Sequence, residues 1–148
     1  MDEAQRQLDG FIDKFAPDIA ALTRRLFVRM KSRLPGAVIM VYDNYNALAI
    51  AFGATDKGSK AILSLAVYPR RVNLSFAWGK DLPDPHHLLE GEGSRVRHLR
   101  LVGVETLDDP RIEALIGAAV ERSEPPFDAT AEQKLVIRMS LAKQRPRK

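Results

Sequence analysis

The chain has 148 residues, 45% of them hydrophobic, a formal net charge of +4 and no cysteine. That length and apolar content suit one domain with a single core, and the lack of cysteine excludes disulfides, thiolate metal sites and cysteine nucleophiles. No apolar run approaches the roughly 20 residues a membrane-spanning helix requires, and the acidic start Met1-Asp2-Glu3 has neither the basic nor the apolar part of a secretory signal, so a cytoplasmic protein without membrane contact is expected.

From Ala4, the apolar residues Leu8, Phe11, Ile12 and Phe15 mark one face of a helix ending near Ala16. Pro17 and Asp18 suit the first turn of a second helix, whose face Ile19, Leu22, Leu26, Phe27, Met30 and Leu34 continues until Pro35-Gly36 stops it. Arg24, Arg25, Arg29, Lys31 and Arg33 fill much of its remaining surface and read as a solvated face. The period then changes to two. Val38 to Tyr42 and Ala47 to Phe52 form a hairpin around Asp43-Asn44-Tyr45-Asn46, and Ala61 to Tyr68 and Val72 to Trp78 add two more antiparallel strands.

Asp84-Pro85 is expected to open a short helical turn through Leu89, which Gly91-Glu92-Gly93 ends. Val96 to Leu101 returns as a strand, with Arg97 on the face of Leu99 and Leu101. Asp109 caps a helix with Pro110 at its first position and Ile112, Leu115, Ile116, Ala119 and Val120 facing the core. After a Pro-containing linker, Gln133 to Leu141 alternates as an edge strand. The pattern defines an α+β fold: an antiparallel β-sheet of five or six strands with two or three helices packed on one face. Residues 1–133 make the domain, and 134–148 an edge strand with a basic end expected to be disordered.

Alternate residues divide the sheet sharply. One face collects Leu48, Ile50, Phe52, Leu63, Leu65, Val67, Val72, Leu74, Phe76 and Trp78, and must lie under the helices. The other collects Ala47, Ala49, Ala51, Ser64, Ala66, Asn73, Ser75 and Ala77. Solvated sheet faces usually carry charge, so this neutral face of small residues predicts a cover: a local element, a second subunit or a ligand.

Trp78-Gly79, Leu82-Pro83-Asp84-Pro85, Leu88-Leu89, Glu90-Gly91-Glu92-Gly93 and Val96-Arg97-His98-Leu99-Arg100-Leu101 together resemble the hallmark of the YdhG-like domain family, a bacterial family of unknown function. Pro35-Gly36, Val72-Asn73-Leu74 and the helix after Asp109 fall where that family has them, so the likeness covers roughly residues 11–122; Leu135 to Arg138, Ser140 and Lys143 to Arg147 resemble the ending of one branch. The resemblance implies an antiparallel sheet with helices on one face, similar in outline to frataxin. It also implies iron as a ligand, since one member has been proposed as an intracellular iron chaperone. Iron on such proteins uses a carboxylate ridge; here the first helix mixes acid with Arg6 and Lys14, and the second is basic.

Several residues have site chemistry, each with a plainer structural reading beside it. Gly91 and Gly93 next to Arg95, Arg97 and His98 could hold a small anion through backbone N–H groups and guanidinium forks, or could simply turn a helix into a strand. Arg97 needs a partner in either case, because its face is apolar. Tyr68 and Trp78, ending adjacent strands on the core side, could line a pocket with it or serve as core lids. His87 and Glu90, three apart on a helical turn, have the residue types for a metal, or belong to a surface turn.

The positive charge is concentrated at the end: residues 134–148 carry six Lys or Arg and no acid, leaving −2 on the rest. Lys143, Arg145, Arg147 and Lys148 could contact nucleic acid or an acidic partner, or merely solubilise the terminus. Two functions are therefore expected to compete. One is a non-enzymatic carrier of a small ligand or metal ion. The other is a homodimeric interaction module with a basic end. No catalytic constellation or firmly implied cofactor is legible, Ser94 and His98 being the one nucleophile and base pair near the loop.

Overall fold

The structure, a computed structural model, describes residues 2–148; Met1, the first residue of the acidic start, lies outside them. Helix α1 spans Glu3–Ile12 and α2 spans Pro17–Arg33. Asp2 caps α1, its carboxylate accepting the Gln5 N–H at 2.8 Å. The helix ends at Ile12 rather than near Ala16, because Pro17 forces the residue before it out of helical conformation, and Ala16 is extended with ψ of 151°. After α2, Gly36 turns the chain at φ +80°, and a Cβ there would collide with the carbonyl of Asp128.

Six strands follow: β1 (Val38–Asp43), β2 (Leu48–Gly53), β3 (Ala61–Tyr68), β4 (Arg71–Phe76), β5 (Arg97–Leu101) and β6 (Lys134–Ser140), with helix α3 (Pro110–Glu121) between the last two. The sheet order is β5-β4-β3-β2-β1-β6. All neighbours are antiparallel except β1 and β6, which run parallel, so the sheet is mixed rather than purely antiparallel. The return through α3 explains the exception: a crossover helix delivers the chain to the far edge pointing the same way as β1. Asp109 caps α3, accepting the Arg111 N–H at 2.9 Å. The Arg111 guanidinium on the same carboxylate lowers its pKa from 3.8 to about 2.

The division of the sheet into two faces is as the alternation requires. Ile39, Val41, Leu48, Ile50, Phe52, Leu63, Leu65, Val67, Val72, Leu74 and Phe76 are buried in one cluster with the apolar sides of all three helices. Each such side chain taken out of water contributes about 1.5–3 kcal/mol. On the second face Ala49, Ser64, Ala66 and Ser75 are half-buried while Ala47, Ala51 and Asn73 are buried, and none of the three α-helices lines the groove that lies over it. The arginines of α2 are not merely solvated: Arg24 pairs with Asp13, Arg29 with Asp108 and Arg33 with Glu113, tying α2 to the elements beside it.

The C-terminal residues depart most from the sequence-based expectation. They are ordered against the β1–β2 turn. The Leu141 N–H donates to the Asp43 carbonyl at 3.0 Å and the Arg145 N–H to the Tyr45 carbonyl at 2.9 Å. Arg147 is 5% exposed, and its Nη2 reaches the fully buried Asp43 carboxylate at 3.1 Å and the Asn44 carbonyl at 2.5 Å. Lys14 holds the other oxygen of Asp43 at 2.8 Å, and Gln144 joins both, accepting from Lys14 and donating to the Asp43 carbonyl. Composition alone marks such an end as disordered; a buried carboxylate that needs cations overrides it.

Candidate functional site

Strand register builds the second face. Ala51 stands opposite Ser64, Ser64 opposite Ser75, and Ser75 opposite His98, so one row of small and polar side chains crosses four strands. Above its middle lies a groove of about 300 Å3 with Ala51, Ser64 and Ser75 in its floor. One wall is the β2–β3 turn at Gly58 and Ser59; the other is Trp78, Arg95 and Val96. The polar groups on offer at the floor are the two serine hydroxyls, with the His98 imidazole beside them in register.

Trp78 does not end a strand, although it borders Ala119 of α3 on its core side. β4 stops at Phe76, a 3-10 turn over Gly79–Asp81 follows, and the indole is left 52% exposed on the groove's rim. The Arg95 guanidinium lies 4.8 Å from its ring centre, a cation–π stack that pairs the two side chains. The Lys80 N–H donating to the Arg95 carbonyl at 2.9 Å ties this wall to the 3-10 turn.

Arg97 does face the apolar side, opposite Phe76, and meets its need for partners within its own loop. Its Nη1 donates to the carbonyls of Gly93 and Val96, both at 2.7 Å, so the guanidinium braces the loop rather than waiting for an anion. Gly91 belongs to that brace: its φ is +134°, and an added Cβ would lie 3.1 Å from the Val96 carbonyl oxygen. Gly93 is open, with nothing within 4 Å of such a Cβ. Of the residues expected to form an anion site, the groove unites Trp78 and Arg95, with His98 beside it. Gly91, Gly93 and Arg97 shape the loop behind it.

Tyr68 lies elsewhere. It sits on the small-residue face at the far end of β3, where the Arg71 guanidinium covers its ring at 4.3 Å. It is neither on the core side nor adjacent to Trp78, because an even-numbered residue of β3 points away from Leu63, Leu65 and Val67.

The helical turn expected to carry the metal pair His87 and Glu90 does not form. Residues 84–89 form turns rather than a helical one: the Asp84 carboxylate accepts the N–H groups of Leu88 and Leu89, both at 2.9 Å, and His87 takes a left-handed φ of 54°. Glu90 instead bridges to His98 through paired backbone hydrogen bonds of 2.8 and 2.9 Å, covering the edge of β5. The helical alignment that would have aimed His87 and Glu90 at one ion is absent. Among the described residues no group of three His, Asp or Glu side chains has metal-site geometry, so the donor set for iron does not fit.

At the basic end, Arg147 is buried against Asp43, while Lys143, Lys148 and Arg145, whose guanidinium lies 5.9 Å from the Tyr45 ring centre, are exposed. Arg147 is thus a structural residue and not a surface for partners. The ion-pair cluster it forms was invisible to motif reading. Its one local signal is Asp43, a carboxylate on the inward side of a strand after Ile39 and Val41.

The fold is α+β, three helices on a six-stranded, mostly antiparallel open sheet. Comparison with protein-family models finds no match, and comparisons with curated proteins and with solved structures find none either. No helix among the described residues is long and apolar enough to cross a membrane.

Proposed function

We propose that the chain is a non-enzymatic binding protein of the YdhG-like kind that takes a small ligand with an aromatic or anionic part into the groove beside Trp78. The observation that carries this reading is the neutral floor of Ala51, Ser64 and Ser75, left without a helix and overlooked by an exposed indole with a guanidinium stacked on it. An aromatic ring can extend that stack, an anion can reach Arg95, and the serine hydroxyls orient what lies below. The ligand is a small molecule rather than a metal ion, since the acidic donors are dispersed.

A second reading uses the same face. Val96 and Trp78 are both about half exposed, at 48% and 52%, over a floor whose small side chains let another backbone approach, which favours a second copy of the chain as the cover. Native mass spectrometry of the purified protein tests both. A bound small mass that disappears in Trp78→Ala with Arg95→Gln supports the carrier. A dimer that Ser75→Arg converts to monomer supports the module. A monomer with no bound mass, whose single tryptophan emission is unmoved by the aromatic anion 8-anilinonaphthalene-1-sulfonate, sinks both.

A further inference from the structure

The small-residue face extends well beyond the groove. Tyr68 and Arg71 stand opposite each other where β3 turns into β4. On the same side of the sheet the register continues with Ala66, Asn73 and Arg100, then with Ser64, Ser75 and His98. Trp78 and Arg95 close the series at the groove. Each end of the face therefore carries an aromatic ring with a guanidinium stacked on it, at 4.3 Å for Tyr68 and 4.8 Å for Trp78. Arg71 and Phe76, the ends of β4, are about 17 Å apart at the rise of an antiparallel strand, and Trp78 lies beyond Phe76, so no molecule the size of one nucleotide reaches both stacks.

Both charge and hydrogen bonding are left unmet on this face. Arg71, Arg95 and Arg100 are exposed and, among the described residues, none of them forms an ion pair, whereas Arg24, Arg29 and Arg33 of α2 all do. Strands β3, β4 and β5 contain no acidic residue, and the carboxylate in register with them is that of Glu90, exposed at the β5 edge opposite His98. Asn73 is only 6% exposed between Ala66 and Arg100, and its carboxamide forms no hydrogen bond among the described residues, so a nearly buried polar group on this face still lacks a partner. A polyanion answers the three unpaired guanidinium groups, and unstacked bases lie on aromatic rings and on guanidinium planes. The amide of Asn73 and the hydroxyls of Ser64 and Ser75 lie between the two stacks and can meet base edges or sugars. A duplex cannot use the stacks, because its bases are already stacked on one another.

We infer that this face binds single-stranded nucleic acid along β4, from Trp78 to Tyr68; this rests on the groove reading, with one nucleotide of the strand as the groove's ligand. Titrating the full chain with an oligodeoxythymidylate of about eight nucleotides is expected to quench the single tryptophan saturably, with an affinity that falls as salt rises. The double variant Arg71→Gln with Arg100→Gln, both exposed and outside the groove, is expected to bind the oligonucleotide more weakly by about tenfold or more. It should unfold at the wild-type temperature and bind 8-anilinonaphthalene-1-sulfonate at Trp78 as wild type does. The triple variant Lys143→Gln, Arg145→Gln and Lys148→Gln should bind the oligonucleotide as wild type does. An oligonucleotide that does not bind, equal binding by the Arg71 and Arg100 variant, or loss of binding in the triple variant overturns the inference. So does thymidine monophosphate, or a DNA hairpin duplex, binding as tightly as the single strand. If the sulfonate dye still shifts Trp78 emission where the oligonucleotide fails, the groove reading stands and this inference alone falls; if neither acts, both fall.

Discussion

Asp43 ends β1 on the inward side, in line with Ile39 and Val41, and is fully buried. A carboxylate there is tolerated because Lys14 takes one oxygen and Arg147 the other. Arg147 gains in turn: besides Asp43 it has the Asn44 carbonyl and the face of Phe15, with the guanidinium carbon 5.5 Å from that ring's centre. Removing one member of such a buried group strands the rest, which costs about 3–5 kcal/mol. Asp43→Ala is therefore expected to lower unfolding stability by about 3 kcal/mol, read from urea denaturation, whereas Asp56→Ala, in the exposed β2–β3 turn, should change it by less than about 0.5 kcal/mol. A loss at Asp43 no larger than at Asp56 contradicts the assignment. By composition Asp43 reads as part of the Asp43-Asn44-Tyr45-Asn46 turn, whereas β1 runs through it and the parity of Ile39 and Val41 turns it inward. Lys14 lies 29 residues before it and Arg147 104 after, and no local pattern names partners that distant.

At the scale of elements, hydrophobic period locates the three α-helices and the six strands but not the short 3-10 helices such as Val104–Asp108, and it fails where side chains capture the backbone. The turn at residues 84–89 looks helical by its spacing, yet the Asp84 carboxylate takes the amides of Leu88 and Leu89 and closes the turn, so His87 and Glu90 lose the helical i, i+3 alignment. Alternation extends β4 two residues too far, because Trp78 keeps the parity of Phe76 and Leu74; Gly79 ends that parity by packing against β5. A Cβ on Gly79 would lie 2.5 Å from the Arg97 Cβ and 2.9 Å from its backbone nitrogen, contacts that rotation of a side chain cannot relieve. Gly79→Ala should therefore cost about 1–3 kcal/mol and shift the emission of Trp78 next to it, while Gly93→Ala, with open space around it, should stay within about 0.5 kcal/mol. Equal, small effects at both glycines would mean that the wall of the groove does not depend on this close approach.

Across the whole molecule, the sheet has one dry side, and Lys14 after the first helix meets the C-terminal residues at the end of β1, next to the β6 edge. The two-faced layer was legible because alternation persists through β2, β3 and β4 with bulky residues always on one parity. The stack of Arg95 on Trp78 was not, since β4 stops at Phe76 and leaves the indole outside the alternation. Nor was the closure by residues 141–148, which composition describes as a soluble end. That closure makes the basic tail part of the folded unit, so truncation after Leu141 has two separable consequences. It removes Lys143, Arg145 and Lys148, the exposed charges, and it also leaves Asp43 with Lys14 alone. The truncated chain should lose about 3 kcal/mol of stability, and Asp43→Ala introduced into it should cost clearly less than in the full chain, because the two changes disrupt one cluster and cannot add. Additive losses would show that Arg147 and Asp43 act independently. A truncation without cost would return the tail to the role its composition suggests, and any nucleic-acid binding lost on truncation could then be assigned to its charges alone.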